Sequence, residues 1–577
     1  MAAHDWRFYL FQTDGEPVVS NRYLRLHYLA AFLVGLTGVG NILTAWLVHH
    51  PARFIWLKHY LPWMVLRGSW LSSVIAGTVQ LFLSWSLGRR KWQAWRIAVA
   101  MFLISTAANL LRGLHYGQAA FNLGLLLMLL ALKPRFTAAS DPPSVRHGLA
   151  VFAGVTLFTY LYGLSGFYLL DRHFHQQFDL AEASRQTIAY LAWLATPELE
   201  HPNRLARWFL DSLAIIQVGG LLYGLYMVLR PVVYRRTVLM PERKRAAGIV
   251  ERYGRSSLVH LTLLSDKIYH FSRSQKSFVA YALVGNVAVV LGDPVGPEDD
   301  IPHLIDEFTA FCANNDWHPA FYQVLPDYLP VYQACGYKIL KIGEEAVVDL
   351  HTFTLAGNSR KNLRQTVNRM VRKGYSTELL LPPLREETLR ELKEVSDHWL
   401  RLQKGGEKRF SLGWFDPAYI RSCPVMVVRD SRGRVQAFAN IIPEYRRNEG
   451  TIDLMRRREG ESGLIDLLFV RLMEYFKEQG YDSFNLGLCP LAGVGDHPGA
   501  SLQERAVYFF YQHFNQLYGF KGLRQFKEKY GPRWEPRYLI YPHPLLLPKI
   551  AMAVVTANAG GSLWSYVRAW REKRRLA

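Results

Sequence analysis

The chain has 577 residues, half of them hydrophobic, with 16 tryptophans and 68 Lys plus Arg against 47 Asp plus Glu. That apolar content excludes a disordered chain, and the length allows several domains. The net charge of +21 suggests a polyanionic partner, but residues 1–240 hold 21 basic and 10 acidic residues and the rest 47 and 37, so two different parts contribute to it.

No acidic residue occurs between Glu16 and Asp141, where basic residues form short clusters between long uncharged runs. Carboxylates are costly in hydrocarbon, whereas Lys and Arg near helix ends can reach the interface, so this pattern predicts membrane spans. Six apolar runs, 26–48, 64–87, 97–111, 116–132, 147–170 and 211–229, are predicted to cross a bilayer whose core takes about 20 helical residues. The third and fourth are short and flank Arg112, which predicts a tight hairpin. With the N-terminus inside, the inner segments from Arg7 to Arg245 carry sixteen Lys and Arg against eight outside, which places the following part in the cytoplasm. The first run has no small-residue cleavage site and is predicted to be retained as an anchor. Arg67, Asn109, His115 and Asp211 fit helix-end snorkelling at least as well as an ion or lipid path, and no broken-helix Gly/Pro pair supports transport. The membrane domain is set at 1–240.

Cys312, Cys335, Cys423 and Cys489 show no C-x-x-C spacing, which argues against a disulfide framework or zinc site. Neither a metal nor another cofactor is expected.

From about residue 250 strands and helices alternate. Lys276 to Val284, turn Gly285-Asn286, then Val287 to Leu291 predicts a β-hairpin. A helix at 301–315, a strand at 319–325, a short helix at 327–335 and a strand at 338–350 follow. The order then recurs: strands at 424–428, 435–442 and 451–456, helix 463–479, strand 482–488, helix 502–518 and strand 536–541. This repeat of elements suggests a duplicated α/β acyltransferase-like unit, with one copy at 250–357 and the second at 374–545.

The connecting helix at 358–373 carries Arg360, Lys361, Arg364, Arg369, Arg372 and Lys373 and no acid. A solvated face usually mixes signs, so this ridge suits a polyanion, either nucleic-acid phosphate or anionic lipid headgroups. Downstream, Ile452 to Gly463 runs from a strand through a Gly-containing loop into a helix, a layout that offers N–H groups and guanidinium groups to an anion. Arg457-x-x-Gly460-x-Ser462 loosely matches the pyrophosphate loop of acetyltransferase-type folds, and a helix-capping turn explains its glycines equally well. Asp453 and Arg456, alternately facing at the strand end, suit an amino group and a carbonyl or phosphate, or an internal salt bridge. At the end of the chain, 546–577 is predicted to be a basic amphipathic tail at the membrane interface, and a solvated end is the alternative.

The residues from about 250 to 545 resemble the catalytic domain of the aminoacyl-phosphatidylglycerol synthases, the multiple peptide resistance factor family. The matching stretches are Gly292-Asp-Pro-Val-Gly296, Asn362-Leu-Arg364, Asp453-Leu-Met-Arg456, Phe484-Asn-Leu-Gly487 with Pro490-Leu-Ala492, Glu504-Arg505, Phe520-Lys-Gly-Leu-Arg524, Phe526-Lys-Glu-Lys529 and Pro536-Arg-Tyr538. The resemblance implies a multi-pass α-helical membrane domain followed by two tandem acetyltransferase-like (GNAT-type) folds in a bacterial plasma (inner) membrane. It further implies transfer of an amino acid, lysine favoured, from aminoacyl-tRNA to phosphatidylglycerol, which gives a less anionic lipid and resistance to cationic antimicrobial peptides. In that picture Asp453 and Glu504 hold the aminoacyl group, Arg456 with Lys521 or Lys527 binds phosphate or the oxyanion, Arg457 and Asn485 contact substrate, and the 358–373 ridge binds tRNA. His260 is a candidate base, or a structural histidine. Long family members carry further spans associated with flipping the lipid, so this chain looks like the synthase part alone. A coenzyme A-dependent N-acyltransferase and a non-enzymatic lipid transporter or scaffold are the alternatives, and a homo-oligomer is left open.

Overall fold

The computed structural model describes residues 26–48, 63–111, 116–138, 142–170, 178–191, 204–229, 240–402, 407–443, 445–490 and 520–560. The chain divides into two compact units, 1–233 with 313–316 and 234–312 with 317–577.

The first unit is helical: α1 (Leu26–Val48), α2 (Trp63–Gly88), α3 (Trp92–Leu111), α4 (Tyr116–Ala131), α5 (Pro142–Leu169), α6 (Leu180–Leu191) and α7 (Arg204–Val228). The six apolar runs fall on α1 to α5 and α7, and Leu26–Leu43, Gly148–Leu169 and Arg204–Val228 are long and apolar enough to cross a membrane. Small residues let these helices touch. A Cβ on Gly38 would lie 2.8 Å from the Gly77 carbonyl oxygen, and one on Gly148 2.8 Å from that of Gly224. The outward side chains are large and apolar, among them Phe32, Ile104 and Ile215, which gives these helices an apolar outer face. α6 was not expected, because Glu182 and Arg185 interrupt its apolar pattern, although it buries Ala183 and Thr187.

The second unit opens with α8 (Met240–Tyr253) and a 3-10 turn at Val259–Leu263. Its first half contains β1 (Ile268–Phe271), β2 (Phe278–Val284), β3 (Val287–Leu291), α9 (Ile301–Asn314), β4 (His318–Val324), α10 (Leu329–Ala334) and β5 (Lys338–Asp349). After α11 (Lys361–Arg372) come β6 (Ser376–Leu380), α12 (Glu386–Leu402), α13 (Pro417–Arg421), β7 (Val425–Arg429), β8 (Val435–Ile441), β9 (Glu449–Arg457), α14 (Leu464–Glu478) and β10 (Ser483–Pro490). α15 (Phe520–Glu528), β11 (Arg533–Tyr541) and α16 (Leu547–Asn558) complete it. The predicted helix at 502–518 lies outside the described residues.

Each half follows one plan. The β2–β3 hairpin turns at Gly285-Asn286, and α9 then crosses to β4, which runs parallel to β3. Likewise β8 and β9 are antiparallel, and α14 crosses to β10, parallel to β9. The two halves share one eleven-stranded sheet, ordered β1-β2-β3-β4-β11-β5-β10-β9-β8-β7-β6. β11, which sequence order assigns to the end of the second copy, lies between β4 and β5, while β5 pairs with β10. Element order gives no information about which strand edge a closing strand joins, so this exchange was not legible in advance.

The seam carries a buried polar network. Arg537 of β11 pairs with Glu345 of β5, and both side chains are 1% exposed. Asn485 of β10 donates to Glu345 at 2.9 Å and to Glu449 of β9 at 3.0 Å. Removing one partner leaves a charge without compensation in low dielectric, which costs about 3–5 kcal/mol. Arg537→Ala is therefore expected to lower the unfolding midpoint by that equivalent, and the Arg537→Ala, Glu345→Ala pair to lose less than the sum of the singles.

Candidate active site

β9 carries the acid and base expected to act on substrate, and an irregularity sets their direction. Ile452 pairs with Ile441 and Met455 with Ala439, so Asp453 and Leu454 together oppose Asn440. This bulge replaces strict alternation. Ile452 and Met455 pack toward the α14 core, while Asp453 and Arg456 both meet the segment 407–419, where simple alternation would have set them on opposite faces. Asn440 fills the bulge: its Oδ1 accepts from the Leu454 N–H at 2.8 Å, and its Nδ2 donates to the Tyr419 hydroxyl at 3.3 Å.

Asp453 is held by two donors. The Gly413 N–H donates to Oδ1 at 2.8 Å, and the Tyr419 hydroxyl donates to Oδ2 at 2.8 Å. Burial raises its carboxyl above the ordinary aspartate range, against the pull of these donors and of the Arg456 and Lys267 cations. Arg456 pairs with Glu407 at 3.1 Å and not with Asp453, so the internal salt bridge considered above is absent from the described residues. Glu407 is fixed in turn by the Phe415 N–H at 2.9 Å. The Arg456 Nε–H is buried and has no acceptor among the described residues, and such an orphan donor in a native fold calls for a ligand or water.

His260, on the 3-10 turn, stacks on Tyr419 with ring centroids 6.3 Å apart, and its Nδ1 lies 2.9 Å from the Tyr445 hydroxyl. Burial lowers its pKa to about 4, so the ring is neutral near pH 7. Lys267 is buried beside Asp266 at 2.5 Å, and the second Asp266 oxygen accepts from the Phe410 N–H at 2.9 Å. Asp453, Arg456 and His260 therefore converge on one segment, 407–419, a loop that runs into α13. Its residues Glu407, Gly413 and Tyr419, together with Asn440 and Lys267, were not anticipated. They come from separate elements, and no spacing in the sequence links them.

Residues 247–541 match the family model described as phosphatidylglycerol lysyltransferase, C-terminal. The chain belongs to this family. The phosphatidylglycerol lysyltransferase of Bacillus subtilis (strain 168) is 33% identical over 509 residues, 86% of this chain and 56% of that protein. That of Staphylococcus epidermidis (strain ATCC 35984) is 38% identical over 295 residues, 51% of this chain and 35% of that protein. The chain thus spans about half or less of the length of these curated relatives. The structure of L-PGS from Bacillus licheniformis is 39% identical, covers 57% of this chain and 99% of that one, and superposes with a TM-score of 0.51. The second unit accordingly shares the α/β fold of that structure.

The remaining candidates of the family region fall in different surroundings. Lys527 on α15 is nearly buried, and its Nζ donates to the Gly487 and Leu488 carbonyls at 2.8 and 3.1 Å, where β10 breaks register. Asn485 uses its amide hydrogens on Glu345 and Glu449 and accepts from the Gly487 N–H at 2.7 Å, so it acts inside the seam. Lys521 lies in α15, but its side chain, like all of Glu504, is outside the described residues. The Arg457 guanidinium lies 5.6 Å over the Trp399 ring, and the loop after it is tied to α11, since Arg369 donates to the Ser462 carbonyl at 3.0 Å. Gly463, at φ 110°, caps α14 and abuts Thr366, which accounts for that glycine by packing.

α11 buries Leu363, Val367 and Met370 and turns its charges outward. Arg364 donates to the Leu355 and Gly357 carbonyls at 2.5 and 3.1 Å, Arg360 donates to the Tyr530 carbonyl at 2.8 Å, and Arg372 donates to the Asn368 carbonyl at 3.4 Å. Bonds to neutral carbonyls orient these side chains without cancelling their charge. Among the described residues of this ridge, which also includes Lys361, the ion pair to an acid is that of Lys373 with Glu461 at 2.7 Å.

Proposed function

We propose that this chain transfers an amino acid, with lysine favoured, from aminoacyl-tRNA to the glycerol hydroxyl of phosphatidylglycerol. The observation that carries the proposal is Asp453 and Arg456 facing one loop inside a family region that spans 247–541, with the Arg456 Nε–H left without an acceptor. The lipid hydroxyl oxygen attacks the ester carbonyl carbon and forms the new ester. The bond to the tRNA ribose oxygen breaks, and the hydroxyl proton ends on that oxygen. The aminoacyl ester is already activated, so the protein has to orient the two substrates and stabilise a developing oxyanion, without a nucleophile or cofactor of its own. Asp453, with Glu504, receives the cationic amino group, and Arg456 donates to the oxyanion or phosphate. His260, neutral near pH 7, is in reach of the same loop as a base.

Within this reading the catalytic copy is 374–545, paired with the copy at 250–357. The ridge at 358–373 follows tRNA phosphate, with its outward uncancelled charge in support. The sixteen-to-eight loop bias supports a multi-pass plasma-membrane enzyme whose second unit is cytoplasmic. Adding a cationic lysyl group to an anionic lipid weakens its attraction for cationic peptides, which supports a role in resistance to them.

The purified full chain in phosphatidylglycerol vesicles, supplied with radiolabelled lysyl-tRNA, is expected to move label into lipid. Absence of lipid label with lysyl-tRNA and with every other aminoacyl-tRNA offered removes the proposal.

A further inference from the structure

α16 carries apolar surface on two sides, and its own unit covers one of them. Ile550, Ala553 and Ala557 are buried in the core formed with Val287, Val289 and Leu291 of β3. On the other side Leu545, just before the helix, is 85% exposed, with Met552 at 55% and Val555 at 48%. Pro548 is exposed between them, so the stripe follows helical spacing, and Lys549 is the one charge in the helix. A helix apolar all round belongs in a buried or lipid setting, so the outward stripe calls for an apolar partner.

Two features select the partner. The same chain holds three helices long and apolar enough to cross a membrane, so this unit is joined through the backbone to segments suited to a bilayer. The sequence that follows α16 carries Arg568, Arg571, Lys573, Arg574 and Arg575 against Glu572, with Trp564, Tyr566 and Trp570 among them. Cations that complement anionic headgroups and rings that suit the interfacial layer fit a lipid surface, and such a cluster of charge is costly against an apolar protein groove. We propose that the Leu545, Met552 and Val555 face of α16 docks on an anionic bilayer surface.

The docking helix ends on the catalytic loop. The Asn558 carbonyl accepts from the Arg409 N–H at 2.9 Å, and its Oδ1 accepts from the Ser411 hydroxyl at 2.5 Å. The same loop holds Arg456 through Glu407 and Asp453 through Gly413. Seating α16 on lipid therefore bears on the geometry of that site, a consequence that rests on the transferase reading, whereas the docking does not.

The test uses the full chain in vesicles of phosphatidylglycerol and phosphatidylcholine. Met552→Cys or Val555→Cys, in a Cys335→Ser background because the other three thiols are buried, carries an environment-sensitive dye. Lys393→Cys on α12 is the water-facing reference. The expected result is blue-shifted emission at 552 and 555, with quenching by nitroxide lipids several-fold above the reference. A label as water-accessible as the reference overturns the proposal. So does a label shielded from both water and nitroxide lipid, since a protein segment or a second copy then covers the face. This readout needs no turnover, so a quenched label on a chain without transferase activity retains the docking and removes the function. Met552→Asp with Val555→Asp is expected to raise several-fold the phosphatidylglycerol density needed for half-maximal transfer.

Discussion

Asp453→Asn is expected to lower kcat/KM for amino-acid transfer by about 100- to 1000-fold, the loss of roughly 3–4 kcal/mol that follows removal of one partner from a desolvated charge pair. Asn keeps the shape and can still accept from the Gly413 N–H, so in the proposed mechanism the lost quantity is the charge offered to the substrate amino group. Stability gives the control. Burial raises the folded carboxyl above its unfolded value, so the folded state binds the proton more tightly, and holding Asp453 ionised near pH 7 costs stability. Removing the charge relieves that cost and offsets the weakened bond from Tyr419, worth about 1 kcal/mol. The unfolding midpoint at pH 7 is thus expected to stay near wild type while activity falls. The pH dependence has the same origin. In the proposed mechanism the active form is the carboxylate, so wild-type kcat/KM is expected to fall as pH drops through a value above the ordinary aspartate range, and the residual activity of Asp453→Asn to lack that limb. A midpoint that drops as steeply as activity would reassign Asp453 to a structural role.

The sequence was most informative where one environment acts on a whole segment. Helices α1 to α5 and α7 were legible because each is a long apolar run, three of them long and apolar enough to cross a membrane, whereas α6 was hidden because its charges break such a run. The β2–β3 turn was legible because Gly285, at φ 62°, takes the left-handed conformation a tight hairpin needs. Asp453 and Arg456 could be picked out as residues, but their shared direction could not. It depends on the Asn440 bulge, and a residue that opposes two partners has no signature in a single sequence. Lys527 and Asn485 show the converse difficulty. A lysine and an amide in a motif suggest a ligand, yet both satisfy buried backbone and carboxylate groups of the central strands. The ridge on α11 was legible as charge, but that most of its arginines are oriented by backbone carbonyls, and so remain uncancelled, required the fold.

Gly413→Ala is expected to cost about as much activity as loss of the carboxylate itself, although it removes no functional group. The backbone at Gly413 is not in the left-handed region, so alanine meets no conformational strain there. The difficulty lies in space: a Cβ would stand 1.9 Å from Asp453 Oδ2 and 2.9 Å from a ring carbon of Tyr419. Neither neighbour can retreat easily. Tyr419 is packed against His260 and held by Asn440, and Asp453 sits on a strand paired on both sides. The added methyl must therefore rotate the carboxylate or lift the loop, which breaks the Gly413 N–H bond and shifts Glu407 away from Arg456. Overpacking of this kind typically costs about 1–3 kcal/mol of stability, and a misplacement of about 1 Å at reacting groups can cost about 100-fold in rate. Gly413→Ala is thus expected to fold with a modestly lower midpoint and to lose at least about 100-fold in kcat/KM. Asn440→Ala, which empties the bulge from the other side, should move activity in the same direction. Wild-type transfer by Gly413→Ala would mean that the 407–419 segment does not set the position of Asp453 during the reaction.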